Sequence, residues 1–469
     1  MSIDYKEDIV DKIPVLGGTI NWLAGNDADY GGVLFGLCVI LLASMWWFTG
    51  ISFGQIFIIT AVLAPVWLTY FVFRHLFFNK WMDYVGKSFA LRNGRTTLRI
   101  KLPPEVQKSP EAMEFVISQI HNAANPDNLM QTYLQGKRPL PFSFEIVSIG
   151  GEVRFYVNVP TSKTKDAFEV NMYAQYPGVE ITEEPVDYAA EIPLGGGEKW
   201  DMMSFHMGKK KEGIFPIKTY IDFELNRMPK EEEKVDPMTP MLEVLSSIQP
   251  HERIYVQFVM KSFRKDSFKN GQLITGEGPD WNKKLYEEVN SMMNRDPDTK
   301  AAKEGGSAEE LARLTTAERN KIEAMERNAA KYAYKGAIRW IYFVEKGKFN
   351  GDIINPVIRS FSQYDIADRN LIGVRWRTDA GYQDIFRWQK KQIVGWKKQE
   401  HKEYKTRVFY NKARSDQETY WTIEELATMF HLPGKVALTP SLDRVESTRS
   451  TAPANLPTGH LPESHEPTY

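Results

Sequence analysis

Hydrophobic and polar positions divide the chain into three regimes. From position 31 to 73 no side chain is charged. At ~1.5 Å per residue, one helix of that length would be about twice the ~30 Å hydrocarbon thickness of a bilayer. Thr49-Gly50-Ile51-Ser52 breaks the run into arms at 33–48 and 53–73, with Trp46 and Trp47 beside the turn and Trp67 and Tyr70 near the far end. Amphipathic rings favour the headgroup layer, so the pattern predicts a transmembrane helical hairpin over 31–73. Beyond it the periodicity alternates between two and 3.6 as far as Arg377. From Thr439 to Tyr469 the chain is rich in Ser, Thr and Pro. Such a tail buries too little apolar area to offset its entropy and is expected to be disordered.

The middle regime reads as alternating strands and helices. Residues 97–102 alternate as a strand, and Met113, Val116, Ile117 and Ile120 recur at helical spacing behind Pro110. Residues 142–148 and 152–159 form two strands joined at Ile149-Gly150-Gly151, a hairpin signal. A helix over 163–176 stops at Pro177-Gly178, and 179–182 is a last strand. The order β-α-β-β-α-β is that of the ferredoxin-like unit. A second pass follows: a strand at 217–225, a helix at 237–247 behind Asp236, and a strand at 252–262. After a polar interruption at 263–335 with a helical run at 315–334 come a strand at 337–344, a helix at 352–362 and a strand at 371–377.

The expected fold class is therefore α+β: an N-terminal transmembrane helical hairpin followed by tandem ferredoxin-like (βαββαβ) domains, the second with a long helical insertion. The expected divisions begin with a leader at 1–30, suited to a membrane interface or to a plain flexible role, then the hairpin at 31–73 and a basic juxtamembrane segment at 74–95. The two domains follow at 96–190 and at 214–378, the latter with its insertion at 263–335. A basic aromatic segment with a short helix at 379–438 and the tail at 439–469 complete the chain.

Charge sets the expected orientation. Arg74, Lys80, Lys87, Arg92, Arg95 and Arg99 follow the hairpin against Asp83 alone, and positive flanks stay on the cytoplasmic side. The expected localisation is thus the cytoplasmic (inner) membrane, two-pass, with both termini cytoplasmic. The net charge of −1 gives no global field toward nucleic acid or acidic lipid.

Candidate chemistry is sparse. The single cysteine, Cys38, excludes a disulfide framework, and the eight histidines include no His-x-x-x-His pair. Gly86-Lys87-Ser88 ends like a phosphate loop, but Trp81 stands where that motif needs its first glycine. Gly195-Gly196-Gly197 is framed by no βαβ unit and reads as a loop. No nucleophile, base and orienting group occur in one arrangement. Neither an enzyme nor a cofactor or metal site is expected.

One local patch changes this picture. Arg375, Arg377, Arg387, Lys390, Lys391, Lys397, Lys398, Lys402, Lys405, Arg407 and Lys412 crowd one segment against Asp379, Asp384, Glu400 and Glu403, with Trp376, Trp388, Trp396 and Tyr404 interleaved. Cations that meet phosphates and rings that stack on bases suit single-stranded nucleic acid. The same residues suit anionic lipid headgroups, or a solvated or partner-facing surface.

Several stretches resemble one family when taken together. Phe144-Glu145-Ile146-Val147-Ser148, Val153-Arg154-Phe155-Tyr156-Val157, Ala174-Gln175-Tyr176-Pro177-Gly178-Val179-Glu180-Ile181, Phe215-Pro216-Ile217-Lys218-Thr219-Tyr220, Asp236-Pro237 and Glu424-Glu425-Leu426-Ala427-Thr428-Met429-Phe430-His431-Leu432-Pro433-Gly434 are similar to a group of bacterial membrane proteins. There they form the anchor and amino-terminal module of ATPases similar to type IV secretion and conjugation coupling ATPases. The resemblance covers most of 74–457. In that group an Ala-Asn-Leu-Pro-like stretch leads into a motor domain with the phosphate loop; here Ala454-Asn455-Leu456-Pro457 precedes only a short remainder of this sequence.

The resemblance implies the module without its motor, and no catalytic residue carries over. The implied function is a non-catalytic, membrane-anchored scaffold or adaptor of a type IV secretion/conjugation-like translocation system, docking a separate cytoplasmic ATPase in trans. The lipid bilayer is then a partner, and self-association into a homo-oligomer is open. The alternative is a membrane-tethered nucleic-acid-binding protein using residues 375–412.

Overall fold

The computed structural model describes residues 80–445 apart from 104–107, 163, 228–234, 270–271, 276–279, 294–313, 379–386, 409–418 and 435–441, together with positions 40, 52, 54, 55, 58, 61, 62, 65 and 69. The chain divides into two compact units, Met1–Lys87 and Ser88–Tyr469.

The transmembrane hairpin expected over 31–73 is overturned. Among the described residues no helix is long and apolar enough to cross a membrane. An uncharged stretch sets only hydropathy, whereas a span also needs ~20 apolar residues in one continuous helix. The described helix of that length, Arg387–Thr406, is dense in lysine. Apart from single positions, 31–73 lies outside the described residues, as do the leader at 1–30 and residues 74–79. The two-pass inner-membrane placement rested on the hairpin and is corrected with it. Gly86, Lys87 and Ser88 sit in regular turns of helix α1, Met82–Asn93, so that fragment is not a phosphate-binding loop.

The larger unit is α+β, built on a nine-stranded antiparallel sheet. Its first half contributes β1 (Thr96–Lys101), α2 (Pro110–Gln119), α3 (Leu129–Tyr133), β2 (Phe142–Ile149), β3 (Glu152–Val159), α4 (Lys165–Gln175) and β4 (Glu180–Glu183). The neighbours run β4-β1-β3-β2. The second half contributes β5 (Trp200–Lys209), α5 (Thr239–Ser246), β6 (Glu252–Ser262), β7 (Asp266–Lys269), β8 (Gln272–Thr275), α6 (Trp281–Met292), α7 (Thr316–Ala329), β9 (Ala333–Glu345), α8 (Ile354–Ser360) and β10 (Ile372–Arg377). Its neighbours run β10-β5-β9-β6, so each half places its fourth, first, third and second main strands side by side. The halves meet where β2 pairs with β6, from Phe142 opposite Met260 to Ile149 opposite Arg253. After α9 (Arg387–Thr406), β11 (Thr419–Thr422) joins the start of β9, and α10 (Ile423–Met429) follows directly.

Two details differ from the pattern reading, each for a physical reason. The opening strand of the second half is β5, while 217–225 is extended only at its start and then forms turns. Nearly every residue of β5 is buried, so covering both faces erased the period-two signal. Residues 442–445, within the tail expected to be disordered, run beside β1 and β3: the Leu102 N–H donates to the Asp443 carbonyl at 3.1 Å and the Val445 N–H to the Leu102 carbonyl at 2.9 Å.

One face of the sheet carries the main core. Leu98, Phe144, Phe155, Ile254, Phe258, Ile338 and Trp340 pack there against Met113 and Val116 of α2, Phe168 of α4, Leu242 of α5, Val357 of α8 and Leu426 of α10. The insertion between β6 and β9 has a small core of its own, with Trp281, Leu285 and Val289 of α6 against Ile322 and Met325 of α7. On the opposite face Tyr156, Met202, Tyr255, Ile341 and Phe343 meet Ala189, Ile192 and Tyr404 of α9.

Phe144 stacks on Phe430 at 4.5 Å and stands opposite Phe258 across the β2–β6 seam. Phe144→Ala is expected to cost about 3–5 kcal/mol in urea unfolding. Because both halves share one core, unfolding should stay a single transition; two separated transitions would show that the halves are independent.

Candidate functional site

The second sheet face holds the densest chemistry, beneath α9. Glu145 lies mid-strand on β2, directly opposite Gln257 on β6, and both side chains are fully buried. A carboxylate there must be compensated by donors. Its Oε1 accepts from the Ser143 hydroxyl at 2.6 Å, Gln257 Nε2 at 2.8 Å and Arg407 Nε at 2.9 Å. Its Oε2 accepts from the Tyr188 hydroxyl at 2.5 Å and Arg407 Nη2 at 3.0 Å. The Tyr188 and Tyr404 hydroxyls bond each other at 2.6 Å, and Arg407 also grips Asp187 with Nη1 and Nη2.

Electrostatics follow from this pairing. Burial pushes the Glu145 carboxyl up, but the Arg407 charge and the hydrogen bonds from Arg407, Ser143 and Tyr188 hold it below the usual carboxylate range. Burial likewise lowers the Arg407 guanidinium, and Glu145 and Asp187 hold it well above its ordinary value. Arg95, bonded to Asn158 at 2.7 Å, is lowered to about 10 by burial and then by the Arg407 charge.

Backbone geometry explains how Arg407 reaches this position. Its φ is +51°, in the left-handed region where glycine normally ends a helix. The Arg407 N–H bonds the Tyr404 carbonyl and the Val408 N–H bonds the Glu403 carbonyl, the pair of bonds that closes such a terminus. A non-glycine residue there carries strain of order 1–3 kcal/mol, and the bonds to Glu145 and Asp187 hold Arg407 in place. Further along α9, Glu400 Oε2 meets His206 Nε2 of β5 at 2.5 Å, and Arg339 of β9 lies 3.7 Å from Glu400 and 3.5 Å from Glu403.

The basic segment read from the sequence is divided by this arrangement. Arg375 and Arg377 are exposed on the edge strand β10, with Arg375 Nη1 donating to the Lys209 carbonyl at 2.5 Å. Trp376 and Trp396 are half-buried, their rings edge to face at 6.2 Å. Lys398 and Lys402 are exposed one turn apart, and Lys397 is half-buried. Lys405 donates to the Ile192 carbonyl at 2.6 Å, and Arg407 is buried. Arg387, Trp388, Lys390 and Lys391 lie on the α9 backbone with side chains outside the described residues, and Lys412 lies outside altogether. Gly195, read as part of a loop, seats α9: its φ is +73°, and a Cβ there would fall 2.8 Å from Lys398 Cγ.

Glu145, Asp187 and Tyr188 were missed as functional residues. Glu145 did leave a signal, a charge between Phe144 and Ile146 in an otherwise uncharged strand; Asp187 and Tyr188 left none. The stretches that carry the family resemblance meet in the interior. Glu425 pairs with Lys209 at 2.7 Å and accepts the Ile217 N–H at 3.0 Å. Glu424 takes Arg327 at 3.1 Å and Lys331 at 2.8 Å from the insertion and Thr219 at 2.5 Å. His431 bonds Asp236 at 3.2 Å. Among the described residues no group of three or more His, Cys, Asp or Glu side chains is placed to hold a metal.

Removing one partner of the central pair leaves a naked buried charge. Glu145→Ala is expected to cost about 3–5 kcal/mol in urea unfolding, and Glu145→Met with Arg407→Met to recover most of that loss. Because the folded Glu145 carboxyl titrates below its ordinary 4.5, its contribution is full above that pH and fades as pH falls through the folded value. The Met pair should flatten that acid limb.

Residues 88–445 match the family described as a domain of unknown function (DUF8128). Comparison with curated proteins found no match.

Proposed function

We propose, for a chain that belongs to this family of domains of unknown function, the role of a non-catalytic scaffold: an adaptor of a type IV secretion/conjugation-like translocation system that docks a separate ATPase. The observation that carries this reading is the seam between β2 and β6, which joins two βαββαβ halves into one sheet with one core. Such a platform holds surfaces on both halves at fixed spacing, as a docking partner requires. Glu403 of α9 and Glu424 and Glu425 of α10 each face a cation on another element, the use expected of a structural element. The resemblance to the amino-terminal module of coupling ATPases supplies the partner class.

Affinity purification of the full-length chain from its native cell, followed by mass spectrometry, is expected to recover an ATPase of the translocation type. Purified together, the chain should alter that enzyme's ATP turnover while showing none alone. Recovery of no ATPase, or ATP turnover by the chain itself, overturns the reading.

A second reading draws on the exposure of Lys398 and Lys402 one turn apart on α9, with Arg375 and Arg377 on β10. These cations fit a nucleic-acid backbone. An oligo(dT) probe followed by fluorescence anisotropy should bind at low salt, with affinity falling steeply as salt rises. Lys398→Glu with Lys402→Glu is expected to weaken it about tenfold or more. No binding at low salt ends this reading.

A further inference from the structure

Helix α9 is seated on the sheet through a histidine whose site favours the neutral ring. His401 is fully buried, and its Nδ1 accepts the Gly195 N–H at 3.2 Å. An imidazolium carries a proton on both ring nitrogens and accepts from neither, so protonation would set two N–H groups against each other. The groups around the ring oppose the cation as well. Phe343 of β9 lies against it with centroids 4.9 Å apart and brings no charge. Lys405, one turn along α9, brings a like charge, and the Pro193 carbonyl is the neighbour that favours the protonated ring. Burial first, and then Lys405, lower the ring's titration from 6.5 to about 3.

The other ionisable groups beneath the helix act differently. His206 faces the Glu400 carboxylate. Arg339 faces Glu400 and Glu403, and Arg407 faces Glu145 and Asp187. Glu145, held below the carboxylate range, contributes only under pH 4.5.

We propose that α9 is an acid-released strap: uptake of one proton by His401 lifts the helix from the sheet and uncovers the polar row beneath it, Glu145, Gln257, Arg339 and His206. The inference goes beyond the scaffold role and stands whether or not an ATPase is the partner. Because the ring binds its proton mainly in the released form between pH 6.5 and 4.5, docking weakens as pH falls, approaching about tenfold per unit well below 6.5.

Hydrogen exchange of the full chain, corrected for the intrinsic pH dependence of exchange, reads this directly. Protection of the α9 amides should fall about 50-fold between pH 6.5 and 4.5 while β2, β6 and β9 keep theirs. His401→Asn, whose Oδ1 accepts the Gly195 N–H without titrating, should hold α9 protection constant. Unchanged protection in the wild type, loss that spreads through the sheet, or equal loss in His401→Asn overturns the proposal. Should that variant fail to fold, NMR titration of the wild-type His401 ring decides: its midpoint coincides with α9 release, or the proposal falls.

Discussion

The register in which β2 pairs with β6 governs everything else in the larger unit. Glu145 and Gln257 stand opposite each other on one face, and their neighbours Phe144 and Phe258 stand opposite each other on the other. A slip of one residue would exchange these faces, driving a carboxylate into the apolar core and a phenylalanine into the polar layer. The charge network supports the register from above, because Arg407 and Gln257 both donate to Glu145 and Gln257 donates to the Tyr404 carbonyl as well. Packing below and pairing above thus enforce the same alignment.

The same network ties distant pieces of chain together. Asp187 follows β4, Glu145 belongs to β2, Gln257 to β6, and Arg407 ends α9, so one set of bonds spans both halves and the segment after them. A buried charge pair is weak evidence for added stability, since an apolar replacement often does as well. Its value here is positional: an apolar pair would fill the space without requiring that particular helix end.

Much of the β-α-β-β-α-β order was legible because strands such as β3 and helices such as α2 face one core and keep their periodicity. β5 was hidden because both its faces are covered, and 217–225 mimicked a strand because Ile217, Tyr220 and Leu225 are buried although no strand forms there. The segment 375–412 announced its charge but not its partners. Arg407 belongs to the interior and Lys405 is half-buried against the Ile192 carbonyl, which composition cannot distinguish from a solvated run. The apolar stretch at 31–73 shows the converse limit, since hydropathy states a preference for burial without stating continuity of helix.

The sheet ends in two short strands, β4 and β10, whereas the strands at its middle seam, β2 and β6, are long and almost wholly buried. Short edges resist unwanted pairing, and long apolar ones invite it. Separating the halves would turn the best-protected strands into raw, adhesive margins. Gene duplication, if it produced this architecture, thereby bound its two products to a single polypeptide: neither copy could later be lost or exported alone without leaving a sticky surface behind.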